Sequence, residues 1–139
     1  MTTDVPDTHP RALRLLLAED HPVNARVCLS VIGRLGHTAD VARDGKEAVD
    51  RWASGGYDAI LMDIRMPVTD GIEAAVIIRA REAGGPDRIP IIALTVEEGP
   101  GLRERLESAG FDDILTKPVE PLLVTEALAR HVTNCRKKP

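Results

Sequence analysis

Hydrophobic residues along this chain follow two alternating rhythms. Five short segments are dense in apolar and β-favouring residues: LRLLLA at 13–18, TADVAR at 38–43, DAILMD at 58–63, PIIALT at 90–95 and DDILT at 112–116. Three of these are almost continuously apolar at their centres, the pattern of strands covered on both faces, as in a parallel sheet. Between them apolar residues recur three or four positions apart: Val23, Val27, Val31 and Leu35; Ala48, Val49 and Trp52; Ile72, Val76 and Ala80; Leu102, Leu106 and Ala109; Val124, Leu128 and Val132. That spacing predicts helices with an apolar face. Gly36, Gly45, Gly55-Gly56, Gly84-Gly85-Pro86 and Gly110 fall where those helices should start or stop. Strand and helix alternate five times, which predicts one doubly wound α/β domain.

Composition narrows the picture only a little. With 139 residues, 43% hydrophobic and 29% charged, the chain has the mix of a single globular domain. No run reaches the roughly 18 apolar residues of a membrane span, and the start MTTDVPDTHPRALR lacks the apolar core of a signal peptide, so a cytoplasmic protein without membrane contact is expected. Cys28 and Cys135 form no metal-type pair, and a buried thiol and an exposed one is the simpler reading. A net charge of −4, one short basic cluster at 136–138 and only three aromatic residues, Trp52, Tyr57 and Phe111, argue against nucleic acid as a partner.

In open α/β sheets ligands sit beyond the carboxyl ends of the strands. The first strand leads into Glu19 and Asp20, the third ends on Asp63, the fourth ends on Thr95, and Lys117-Pro118 follows the fifth. The topology should therefore gather three carboxylates, a hydroxyl and an ammonium in one place. Carboxylates brought together raise one another's pKa and call for a counter-charge. A hard divalent cation suits oxygen ligands, and Mg²⁺ typically takes one or two carboxylates with waters and phosphate oxygens. Lys117 adds a point charge and Thr95 a hydroxyl, so a phosphoryl group could be held on or next to Asp63. Taken singly, each residue has a plainer role: an acidic cap, a turn residue, a strand threonine, a solvated cation. His21 beside Asp20 is a softer ligand than Mg²⁺ prefers and is placed at the rim, and Asp70-Gly71 has the wording of a turn. His9, His37 and His131 are scattered, and none has the surroundings of a phosphodonor.

The segments LLLAEDHPVN, ILMDIRMPVTDG, IIALT and ILTKP, in this order and spacing, closely resemble the receiver domain of two-component response regulators. The wording EDHPVN is nearest to receivers of hybrid histidine kinases and phosphorelays. The resemblance implies a receiver domain over 13–132 with flexible ends at 1–12 and 133–139, folded as a five-stranded parallel, flavodoxin-like sheet. It implies that Asp63 is the phosphoacceptor, taking a phosphoryl group from a histidine kinase or histidine phosphotransfer protein. Asp20, Asp63 and the backbone carbonyl of Arg65 would hold Mg²⁺, with Glu19 acting through water. Thr95 would bond the phosphoryl oxygens, and Lys117, ahead of a cis peptide at Pro118, would pair with the phosphate. On this reading the domain is a phosphoacceptor that promotes its own phosphorylation and slow dephosphorylation, not an enzyme releasing a product. Partners or dimers would use the last two helices and the strand between them.

Four positions depart from the family pattern or modulate it. Ile114 stands three residues before Lys117, where relatives commonly carry a Tyr or Phe that swings inward, so the signal is expected to pass through repacking near residues 96–110. Val96 replaces the common Ala after Thr95 and adds bulk at the site. Arg65 and Glu97 lie two positions beyond Asp63 and Thr95, and their pairing across the mouth would restrict the attacking water, although an exposed pair is worth only ~0–1 kcal/mol. Two other function classes compete with this reading. A hydrolase of the haloacid-dehalogenase type wants a second carboxylate two residues after the nucleophile, where this chain has Arg65. A non-phosphorylated interaction module of the same fold would be expected to lose site residues, and all five are present.

Overall fold

The computed structural model describes residues 12–96 and 99–132, so that His9, Glu97, Cys135 and nearly all of the expected ends lie outside the described residues. Ten elements follow one another: β1 (Arg14–Ala18), α1 (Pro22–Arg34), β2 (Thr38–Ala42), α2 (Gly45–Ser54), β3 (Ala59–Asp63), α3 (Gly71–Glu82), β4 (Ile91–Thr95), α4 (Leu102–Ala109), β5 (Asp113–Thr116) and α5 (Pro121–His131). The strands form one sheet in the order β2-β1-β3-β4-β5, and every neighbouring pair is parallel. From β1 the chain steps outward to β2 and then back across to β3. That reversal leaves a crevice above the carboxyl ends of β1 and β3.

Alternation along the strands divides the core between two layers. Leu15, Leu17, Leu61 and Leu94 pack under α1 and α5, while Leu16, Ile60, Met62 and Ala93 pack under α2, α3 and α4. Every residue of β3 and β4 is buried. Local chemistry starts the helices. The Asp44 carboxylate accepts the Glu47 amide at the head of α2, and Asp70 and Glu73 form a reciprocal capping box at the head of α3. Pro22 and Pro121 open α1 and α5, where a missing N–H costs nothing.

Two helices turn a different face inward from the one their spacing suggests. In α1 the buried residues are Ala25, Cys28, Val31 and Ile32, whereas Val23 is 60% exposed and Val27 44%. In α3 the buried residues are Gly71, Ala74, Ala75 and Ile78, and Val76 is exposed. Ala25 and Cys28 in α1, and Gly71, Ala74 and Ala75 in α3, share the inward face with Val31, Ile32 and Ile78, which leaves Val23, Val27 and Val76 outside. Cys28 is buried as expected, and burial pushes its thiol up to about 11. His37 is also buried, and its Nδ1 accepts the Leu13 amide at 2.9 Å.

At the amino ends of the strands, away from the crevice, a single arginine ties three segments together. Arg79 on α3 donates to the Gly110 carbonyl (2.9 Å), Glu82 Oε1 (2.7 Å), the Ile89 carbonyl (2.8 Å) and Asp112 Oδ2 (2.8 Å). The same Asp112 oxygen accepts the Ile91 amide, and Glu82 Oε2 accepts that of Ile89. Gly110, at φ 108°, ends α4 against this side chain, and a Cβ there would collide with Arg79.

At the start of β5, Asp113 Oδ2 accepts Arg130 Nη2 at 2.8 Å and lies 3.0 Å from His131 Nε2, tying down the last turn of α5. Burial raises the Asp113 carboxyl, but bonds from Arg130, the Ile114 amide and His131 outweigh it and leave the pKa below the ordinary value of 3.8. A depressed carboxylate contributes stability above its unfolded pKa and loses it as pH falls through the folded one. Asp113→Asn should therefore cost about 1 kcal/mol at pH 7, and the difference from the wild type should shrink below pH 4 in urea titrations. An equal deficit at both pH values would contradict this.

Candidate functional site

Each strand that borders the crevice contributes a polar group where its hydrogen-bonded ladder stops. Glu19 leaves β1 with its amide bound to the Ala42 carbonyl, Asp63 is the last residue of β3, and Thr95 is the last of β4. The Lys117 amide bonds the Thr95 carbonyl at 2.9 Å, bringing the lysine back across the sheet, and the Lys117-Pro118 peptide is cis. Lys117 Nζ donates to Asp63 Oδ2 at 2.8 Å and to Glu19 Oε1 at 2.9 Å. Asp63 Oδ1 accepts the Arg65 amide at 3.0 Å, and Glu19 Oε2 accepts that of His21 at 3.2 Å. Glu19, Asp63 and Thr95 are buried, while Asp20 is exposed.

Carboxylate oxygens of Glu19, Asp20 and Asp63 all lie within 4.8 Å of one another. One lysine faces these three acids, leaving the cluster with an excess of negative charge and hard oxygen donors. That donor set fits a hard divalent cation. Burial raises the Glu19 pKa; the Lys117 bond and the His21 amide lower it in part, and the neighbouring Asp63 adds to the rise. Burial pulls the Lys117 pKa down, but its bonds and ion pairs with Asp63 and Glu19 more than offset that, so it is held above 10.5 and stays cationic.

The loop from Asp63 to Gly71 is tightly constrained. Ile64 and Met66 are buried in the layer beneath α2, α3 and α4. The Gly71 amide bonds the Ile64 carbonyl at 3.1 Å, and a Cβ on Gly71 would collide with the Asp63 carbonyl oxygen. Between them Val68 holds φ 67°, a left-handed conformation that costs a β-branched residue about 1–3 kcal/mol. The residue is 77% exposed, so its own packing does not compensate.

A family model described as the response regulator receiver domain matches residues 15–129. The chain belongs to that family. The hybrid signal transduction histidine kinase I of Dictyostelium discoideum is 38% identical to this receiver over 120 residues, covering 83% of the chain and 7% of the kinase. The chain thus spans a small fraction of that kinase's length. Among solved structures, the receiver domain of sensor histidine kinase PA1611 from Pseudomonas aeruginosa, with a magnesium ion coordinated in its active site cleft, matches with a TM-score of 0.78 and 41% identity, covering 88% of this chain and 98% of that one. The Saccharomyces cerevisiae co-crystal structure of the histidine phosphotransfer protein Ypd1 with the receiver domain of its downstream response regulator Ssk1 matches with a TM-score of 0.79 and 29% identity, covering 87% and 89%.

Set on the receiver fold, Glu19, Asp20, Asp63 and Lys117 come together, and buried Thr95 joins them through its backbone bond to Lys117. Arg65 follows Asp63 with its amide on that carboxylate, and Val96 is exposed beside Thr95. Ile114 lies partly buried against the α2–α4 layer. Glu97, the intended partner of Arg65, lies outside the described residues. Sequence reading missed the contribution of Gly45, Thr69 and Val68 to the loop below Asp63. The one available signal was an ordinary Asp-Gly pair at 44–45, which reads only as a helix start.

Proposed function

We propose that this receiver domain accepts a phosphoryl group on Asp63 from a phosphohistidine of a partner protein and signals by shifting between two packings of its α4 side. One observation supports the reading most directly. A buried carboxylate at the end of a strand is held by an ammonium at 2.8 Å and a backbone amide at 3.0 Å, beside two further carboxylates. In the transfer, an Asp63 oxygen forms the new P–O bond while the P–N bond breaks and the imidazole nitrogen leaves with the bonding pair. Asp20, Asp63, the Arg65 carbonyl and, through water, Glu19 are the groups that would hold Mg²⁺, which when bound supplies positive charge beside the transferring oxygens. Lys117 gives up its contact with Asp63 Oδ2 to pair with the phosphoryl group, and the Thr95 hydroxyl donates to one of its oxygens.

The charge gained on Asp63 is the event that the rest of the domain reads. Thr95 moving toward the phosphoryl group would pull on the segment leading to α4. Gly99 and Gly101, at φ 127° and 86°, supply the backbone freedom for that helix to repack. Ile114, in place of an aromatic, follows that repacking without driving it.

The donor is a histidine kinase or histidine phosphotransfer protein. Its helix would approach across the exposed valines of α1, Val23 and Val27, which begin three residues after Asp20. The surface of α4, β5 and α5 is left for output or for a second copy. Among the described residues no helix is long and apolar enough to cross a membrane. Our reading has the receiver act in the cytoplasm, with neither a membrane nor nucleic acid as its partner.

Intact-mass spectrometry after incubation with Mg²⁺ and acetyl phosphate, or a phosphorylated histidine donor, tests the reading. The expected result is a gain of one phosphoryl group, acid-stable and base-labile, that is lost in Asp63→Asn. No gain from either donor in a folded protein would instead support the interaction module.

A further inference from the structure

We propose that Gly45 and the Thr69 carbonyl clamp the loop below Asp63 and so position the Arg65 carbonyl for the metal, although neither residue touches the site. This rests on the phosphoacceptor reading and adds a positioning element to it. A backbone carbonyl can serve as a ligand only if the chain on either side holds its direction. Residues 64–70 therefore matter more than the Arg65 side chain.

The loop adopts a turn that its own sequence opposes. Val68 is left-handed with an exposed side chain, and such a conformation persists only where the surroundings impose it. Upstream, the buried Ile64 and Met66 anchor the loop. Downstream, Gly71 closes on the Ile64 carbonyl. The remaining restraint comes from another element. The amide of Gly45, the first residue of α2, donates to the Thr69 carbonyl at 2.7 Å. First-turn amides of a helix have no partner within it, so this donor is available at no cost to α2.

The contact also needs a residue without a side chain. A Cβ on Gly45 would collide with the Thr69 carbonyl oxygen and lie 2.7 Å from its carbon and 2.9 Å from Cγ2. Two of these atoms are backbone, so the loop or the helix must move. Asp44 holds the head of α2 in register by accepting the Glu47 amide at 2.8 Å. The glycine thus works as a fixed stop against which the strained turn is pressed.

The test compares the wild type with Gly45→Ala and Asp44→Ala, using calorimetric titration with MgCl₂ and acetyl phosphate labelling at graded Mg²⁺. Gly45→Ala should weaken Mg²⁺ binding by about tenfold, the lower end of what loss of a group supporting a metal ligand costs. Asp44→Ala, which loosens the same helix end without a clash, should give a smaller change in the same direction. In both, labelling should recover its wild-type plateau at high Mg²⁺, a split that general destabilisation does not produce. Adding Val68→Asn, which favours the left-handed turn intrinsically, should restore part of the affinity to Gly45→Ala.

Folded variants with wild-type Mg²⁺ affinity would overturn the clamp, and if Gly45→Ala does not fold, Asp44→Ala decides. A wild type that is phosphorylated while the variants bind Mg²⁺ normally sinks the clamp alone. A wild type that neither binds Mg²⁺ nor takes up phosphate removes the phosphoacceptor reading with it.

Discussion

Replacing Arg79 with Ala is expected to lower the unfolding free energy by about 2 kcal/mol, less than the ~3–5 kcal/mol of breaking a fully buried pair because this ion-pair network is only partly buried. The guanidinium makes four side-chain hydrogen bonds, to Gly110, Glu82, Ile89 and Asp112. Its side chain is 16% exposed, and those of Glu82 and Asp112 are 10% and 19%. Without it the Glu82 carboxylate loses its counter-ion and two carbonyls lose their donor. Arg88 still reaches Asp112 at 3.0 Å, which limits the damage there. Arg79→Lys should recover little, because an ammonium cannot reproduce a planar fork spanning three segments. Urea midpoints of the three proteins would measure this, while phosphorylation of Asp63 in the folded variants stays unchanged. A loss below about 1 kcal/mol, the value of an exposed pair, would mean that water substitutes for the arginine.

Lys117→Gln should slow phosphoryl acceptance by at least about a hundredfold, the usual effect of deleting one preorganised group at a developing charge. The same change acts on the resting protein. Glu19 loses the bond and charge that lower its pKa, so a carboxyl already raised by burial moves further up. A folded pKa raised above the ordinary 4.5 means that the folded state holds a proton the unfolded state has released. Stability then rises as pH falls through that window. The variant's deficit in metal-free buffer should be largest at neutral pH, shrink toward pH 4.5, and narrow at pH 7 when Mg²⁺ is added. Urea unfolding at both pH values, with and without Mg²⁺, would show this. A deficit independent of pH and Mg²⁺ would place the role of Lys117 outside the carboxylate cluster.

Much of the site is legible along the chain because a parallel sheet converts linear order into position. The strand centres are recognisable as apolar runs, and the polar residues that end them must emerge on one edge. Glu19, Asp20, Asp63, Thr95 and Lys117 could therefore be grouped from spacing alone, although they span nearly a hundred residues. The helix boundary at Gly45 was legible for a different reason, whereas Asp70-Gly71, worded like a turn, proves to be the capped start of α3. Capping is local chemistry, satisfied within three residues.

What spacing could not settle depended on neighbours remote in the chain. Helices α1 and α3 carry apolar residues on more than one face, so periodicity marks Val23, Val27 and Val76 as readily as the residues that are buried. The choice was made by packing against the sheet, which buries Ala25, Cys28, Val31 and Ile32 of α1 and Ala74, Ala75 and Ile78 of α3. His37 as an acceptor for Leu13 and Arg79 as a tie to Asp112 join positions 24 and 33 residues apart. The contact of Gly45 with Thr69 likewise joins the start of α2 to a loop, a meeting that no local pattern records. Sequence by itself determined the strands, their order of polar ends and the chemistry gathered there, since these follow from hydrophobic burial and short-range capping. Only the tertiary structure decided which helix faces stay exposed and how the loop under Asp63 is held in a turn its valine resists, because those outcomes depend on contacts that exist only after the layers pack.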